Sequence, residues 1–114
     1  MLNIVHLIGR LTDDPSMRYT EEGLARTAFI LAVNRSKNNE ADFIKIVAWG
    51  KLAEIAAENL SKGRLVSIVG KIRINNYTKT DGTKKQLVEV VADNIVFLDK
   101  KGGGSNRNKS NVAE

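Results

Sequence analysis

At 114 residues and 42% hydrophobic content, the chain suits one domain around one core, with no room for a second. It has no cysteine, which excludes disulfides, thiolate metal sites and thiol nucleophiles and fits a reducing cytoplasm. A net charge of +5 and a pI near 9.6 favour polyanionic partners, but residues 1–100 carry fifteen basic and twelve acidic side chains, so the placement of the bases matters more than their number.

Residues 2–12, LNIVHLIGRLT, are mostly aliphatic and β-branched and stop at Asp13, Asp14 and Pro15, which predicts a first strand followed by a turn. His6 and Arg10 interrupt the apolar run, so neither a signal peptide nor a membrane span is expected there. After a polar stretch punctuated by Gly23, residues 25–35, ARTAFILAVNR, predict a second strand, and residues 36–42 a polar loop. FIKIVAW, 43–49, predicts the third. KLAEIAAENL, 51–60, places Leu52, Ile55, Ala56 and Leu60 at helical spacing and is followed by Lys62 and Gly63, the signature of one short amphipathic helix. Residues 64–77, RLVSIVGKIRINNY, predict a long fourth strand that Gly70 bends, as glycines do where a sheet curls into a barrel. Asp81-Gly82 signals a hairpin, and residues 86–98 predict a fifth strand.

Five strands with one helix between the third and fourth is the element order of an all-β, five-stranded OB-fold barrel, assigned to residues 1–100. Residues 101–114 are rich in Gly, Ser and Asn with no aromatic, so a disordered tail is expected.

Alternation along a strand assigns the candidate site. Ile44, Ile46 and Ala48 share one face of the third strand and are expected in the core; Phe43, Lys45, Val47 and Trp49 share the other. On the fourth strand Val66, Ile68, Ile72 and Ile74 are expected to point inward, with Lys71, Arg73, Asn75 and Tyr77 opposite. Rings interleaved with cations on two strands form a stacking platform of the kind that single-stranded nucleic acid, with its flat bases and charged backbone, requires. Taken alone, Trp49 also reads as a core residue at a strand end and Tyr77 as loop-rim packing. Phe29 shares its face with Leu31 and Val33 and is read as core. Lone His6 is read as a packed or interface histidine, and Asp13 and Asp14 as turn formers, so no metal site and no cofactor are expected. No nucleophile, base and orienting group come together, so the chain is not expected to be an enzyme.

Three stretches carry a family resemblance: LIGRLTDDPSMRYTEEG (7–23), WGKLAEIAAENLSKG (49–63) and IVGKIRINNYTKTDG (68–82). Over roughly residues 1–100 the chain resembles the bacterial single-stranded-DNA-binding protein family. The resemblance implies an OB-fold homotetramer that coats single-stranded DNA in replication, recombination and repair, within the cytoplasm and on the nucleoid. By position it implies stacking by Phe43, Trp49 and Tyr77, and backbone contacts from Lys45, Lys51, Lys62 and Arg73; Lys71 on the same face, and Arg35 where the second strand ends, complete the candidate backbone set. Tyr77 replaces the more usual tryptophan, and Arg35-Ser36-Lys37, where family members often carry another stacking tryptophan, has no aromatic. The chain ends NRNKSNVAE rather than in an acidic, hydrophobic tip, so recruitment of replication or repair proteins through such a tip is not expected. A short paralogue used in DNA uptake, a phage or plasmid version, and a truncated form all fit that ending. The first strand, apolar and at the chain end, suits pairing with its copy in another subunit.

Two rival readings remain open at this level. In one, the aromatics form the interface of an OB-fold protein-interaction module in a replication-restart or similar assembly. In the other, an RNA-binding domain of the cold-shock type, clustered aromatic motifs are expected that this chain lacks.

Overall fold

The computed structural model describes residues 1–37 and 39–99. The expected boundary at residue 100 and the tail over 101–114 lie outside the described residues. The chain forms β1 (Val5–Leu11), β2 (Ser16–Tyr19), β3 (Ala25–Asn34), β4 (Ala41–Trp49), α1 (Gly50–Asn59), β5 (Leu65–Thr78) and β6 (Lys84–Phe97).

Five of these strands close a ring. β1 pairs with β5, β5 with β6, β6 with β4, β4 with β3, and β3 returns to β1 through Arg10↔Ala32 and Leu11↔Leu31. This is the expected OB-type barrel, with α1 between the third and fourth strands of the ring. The addition is β2, in a stretch expected to be an irregular polar connection. It lies outside the ring and pairs only with the start of β3, from Ser16↔Ala28 to Tyr19↔Ala25. Its four residues are all exposed, and although Met17 and Tyr19 alternate with Ser16 and Arg18, a run of four is too short to announce a strand.

The core follows the expected phases on β3 and β4. Phe29, Leu31, Ile46, Ala48, Val66 and Ile68 are buried together with Ala53 and Ala56 of α1 and Leu60, the residue that follows the helix. The Thr27 hydroxyl donates to the Ala53 carbonyl at 2.7 Å, tying the helix to the sheet. Arg64, also buried, donates to Asp99 and to the Asn59 carbonyl, each at 2.8 Å, and lies 5.0 Å from the Phe97 ring, so the end of β6 is fastened beside the helix C-terminus. Asp14 accepts from the Lys62 backbone N–H at 2.8 Å, a tether more specific than the turn role expected of it.

Two expectations about faces change. Ile72 and Ile74, expected in the core with Val66 and Ile68, are 44% and 52% exposed. They keep the inward phase, but only the partner strand is still in the barrel at this point: Ile72 pairs with Val90, buried where β6 joins β4, while from Ile74↔Val88 onward β5 and β6 run on as a two-stranded hairpin with both residues of that pair exposed. Val47, expected on the open face, is fully buried.

Gly70 marks where β5 passes from buried to exposed. The register runs Val69↔Asn94 and then Gly70↔Ala92, leaving Asp93 as an extra residue on β6. A side chain on Gly70 would overlap the Val91 carbonyl oxygen, so the two backbones approach as they do only because Cβ is absent.

Candidate nucleic-acid interface

Cross-strand register turns the expected faces into rows. On the outer face of the sheet, Ile30 of β3 sits opposite Lys45 of β4, and Arg73 of β5 opposite Glu89 of β6. Lys45 Nζ lies 4.0 Å from Glu89 Oε1 and Arg73 Nη2 lies 3.4 Å from Glu89 Oε2, so the row reads Ile30, Lys45, Glu89, Arg73. A neighbouring row holds Ala32 and Phe43, and another Arg18, Arg26 and Trp49. Further along the hairpin, Tyr77 pairs with Lys85.

Each aromatic meets different surroundings. Phe43 is 68% exposed, an unfavourable setting for a bare ring in water. Trp49 ends β4 and caps the start of α1; it is partly buried, with the Arg26 guanidinium 5.6 Å from its ring centroid. That cation covers one side of the indole, as expected of neither a plain core residue nor a bare platform. Tyr77 is 50% exposed and, with Asn76, Thr78, Lys84, Lys85 and Gln86, lines an open hollow of about 450 Å³.

The strand cations are charge-compensated within the chain. Lys45 and Arg73 share Glu89, and Lys71 Nζ lies 3.7 Å from Asp93. Arg35 stands apart, just beyond β3, where it holds Asp42 at 2.8 Å and Glu40 at 3.1 Å; the bonded Asp42 carboxylate raises its pKa further above the usual arginine value. Lys51 opens the first turn of α1 and Lys62 follows its C-terminus, both exposed. The structure therefore gathers Phe43, Lys45, Trp49, Lys71, Arg73 and Tyr77 on one outer surface. Lys51 and Lys62 stand at the two ends of the helix, and Arg35 sits at a separate loop.

Arg26, Lys85 and Glu89 join this surface without having been singled out in the sequence. Alternation in ARTAFIL already turns Arg26 to the same side as Ile30, but its place over Trp49 needs the β3–β4 register. Among the described residues, no three His, Cys, Asp or Glu side chains group as a metal would require, and no helix is long and apolar enough to cross a membrane.

The chain is 51% identical over 108 residues to a single-stranded DNA-binding protein of Caldanaerobacter subterraneus subsp. tengcongensis, covering 90% of this chain and 72% of that one. It is 50% identical over 103 residues to a single-stranded DNA-binding protein of Clostridium tetani, covering 86% and 71%. A Bacillus cereus protein of the same name is 44% identical over 115 residues, covering 96% and 68%. The model of the single-strand binding protein family matches residues 2–98, the whole of the barrel and hairpin, and the chain belongs to that family.

Proposed function

We propose that this chain binds single-stranded DNA without sequence preference, along the outer face of β4, β5 and β6, and acts as a binding protein rather than an enzyme. The observation that carries the reading is the shared outward phase of Phe43, Lys45 and Trp49 on β4 with Lys71, Arg73 and Tyr77 on β5. Bases stack on the three rings while the cations follow the backbone, and neither contact reads a base edge. Lys51 and Lys62 extend the path past α1, and Arg35 contributes once it releases Asp42 and Glu40. The process served is replication, recombination, repair or DNA uptake.

The chain assembles as a homotetramer. Support comes from β1: it pairs with β5 on one edge, but with β3 only through Arg10 and Leu11, so among the described residues Val5–Gly9 has no strand on its second edge. The same surface exposes Ile8 and Val96 on either side of Ser67, whose hydroxyl is 2.7 Å from His6 Nε2. An open edge beside exposed aliphatic residues suits a further copy.

The test uses the single tryptophan, Trp49. Titration with oligo-dT at low and high salt should quench its emission saturably, with affinity falling as salt rises. Unchanged emission together with no binding by anisotropy would overturn the reading and favour a protein-interaction role for the same face. Sedimentation at several concentrations checks the assembly.

A further inference from the structure

Glu89 is the one buried carboxylate among the described residues, 2% exposed, and it lies on the surface where a polyanion is expected rather than away from it. Its two oxygens are divided between two cations: Oε1 faces Lys45 Nζ at 4.0 Å and Oε2 faces Arg73 Nη2 at 3.4 Å. Lys45 is two-thirds buried and Arg73 about half, so the ammonium and guanidinium still reach the surface above the carboxylate. One internal anion thus sits beneath two cations that are themselves within reach of an incoming phosphate.

We propose that Glu89 is a built-in competitor for backbone phosphates: it holds Lys45 and Arg73 side by side, halves their combined charge, and so limits the affinity and salt sensitivity of single-stranded DNA binding. This inference rests on the reading that Lys45 and Arg73 contact the DNA backbone.

The physics has a definite sign. Without Glu89 the pair presents two positive charges to a phosphate; with it, one. An incoming phosphate also meets the repulsion of a carboxylate within several ångströms, poorly screened because that carboxylate is buried. Lys71 and Asp93 form a similar pair, but both of their side chains are more than half exposed, so water and salt weaken that competition. Such a limiter suits a protein that must coat a strand and then be displaced from it.

The experiment compares the native chain with Glu89→Gln, which keeps the shape and loses the charge, by oligo-dT titration over a range of salt. Binding is expected to tighten about fivefold at low salt. The slope of log affinity against log salt should steepen by up to about 0.7 per subunit engaged, so the gain should shrink as salt rises. Arg73→Met should weaken binding more in the Glu89→Gln background than in the native chain. Unchanged or weaker binding by Glu89→Gln, or a smaller effect of Arg73→Met in that background, would overturn the proposal and make Glu89 a support for the cations. Glu89→Met, of similar volume and without charge, gives the same shift if the glutamine variant does not fold. Failure of the underlying reading looks different: Lys45→Met and Arg73→Met would each leave both affinity and salt slope unchanged.

Discussion

The β5–β6 ladder is one continuous pairing with two different halves. From Leu65 to Gly70 the even-numbered residues of β5 lie in the core, where Val66 and Ile68 are fully buried. From Lys71 to Thr78 every residue of β5 is exposed, although the strand keeps its phase and its partner. The same hydrogen-bond pattern therefore serves two purposes. The first half gains its stability from apolar burial; in the second, Lys71–Arg73 still pair with buried residues of β6 beside β4, and from Ile74 on the two strands form a ribbon exposed to solvent that carries Tyr77 and Lys85. Substitutions in the first half should alter folding and those in the second should alter binding, with Gly70 as the boundary.

The largest effect should come from testing that division on one face of one strand. Ile68→Ala removes a fully buried side chain from the barrel and should destabilise the protein by about 2–5 kcal/mol in urea unfolding. Ile74→Ala, in the same phase six residues later, should change stability by no more than about 0.5 kcal/mol. A cost for Ile74→Ala comparable to that of Ile68→Ala would break the comparison, and would mean that another copy of the chain covers this end of the hairpin.

How far these halves were legible beforehand follows from the kind of signal each leaves. The ring strands, the helix and the bend at Gly70 were readable because burial writes itself into periodicity: LVSIV and FIKIVAW alternate as a half-buried strand must. The same rule misplaced Ile72 and Ile74, because alternation reports which side a residue faces and not whether anything lies there. β2 was missed because its alternation, Met17 and Tyr19 against Ser16 and Arg18, spans only four exposed residues, yet its turn was visible. Thr20 and Gly23 make the same backbone bond across TEEG as Lys79 and Gly82 make across KTDG, at 2.9 Å in both. Of the candidate site, the rings and cations were legible from phase, whereas their compensation by Glu89 and Asp93 was not. Part of that was within reach, since counting back from the Asp81-Gly82 turn places Arg73 opposite Glu89 before any coordinates are seen. That Lys45 joins them depends on the parallel pairing of β4 with β6, which no local signal specifies.

The binding half is sharpened by Tyr77→Ala. The ring is half exposed and lies beyond the core, so its loss should weaken oligo-dT binding by about 1–3 kcal/mol per stacked base, with little change in unfolding. Tyr77→Trp should restore or improve binding, since the larger ring stacks over more area. A drop in stability as large as the loss in binding would show that Tyr77 packs the hairpin rather than serving it as a platform. A smaller change is expected of Lys85→Met, directly across from Tyr77. It should weaken binding evenly across sequences and lower the salt slope by about 0.7. Unfolding of all three variants should track the native chain.

The smallest effect concerns the hairpin tip. The Thr83 backbone N–H donates to Asp81 Oδ1 at 2.9 Å, and this bond, followed by one from the Thr83 side chain, lowers the Asp81 pKa below its ordinary value. A group depressed in the folded state adds order above its unfolded pKa and loses it as pH falls through the folded value. The tip should therefore be intact at neutral pH and should loosen only in acid, below the ordinary aspartate value near 3.8. Amide exchange at Thr83 and Lys79, followed from neutral pH downward after correction for the intrinsic rate, should rise there while the Ile68 amide stays protected. Asp81→Ala should show the faster tip exchange at every pH, because the acceptor is gone. If acid released the Ile68 and Thr83 amides together, the barrel and the hairpin would be one cooperative unit, and the division drawn at Gly70 would be a matter of exposure alone.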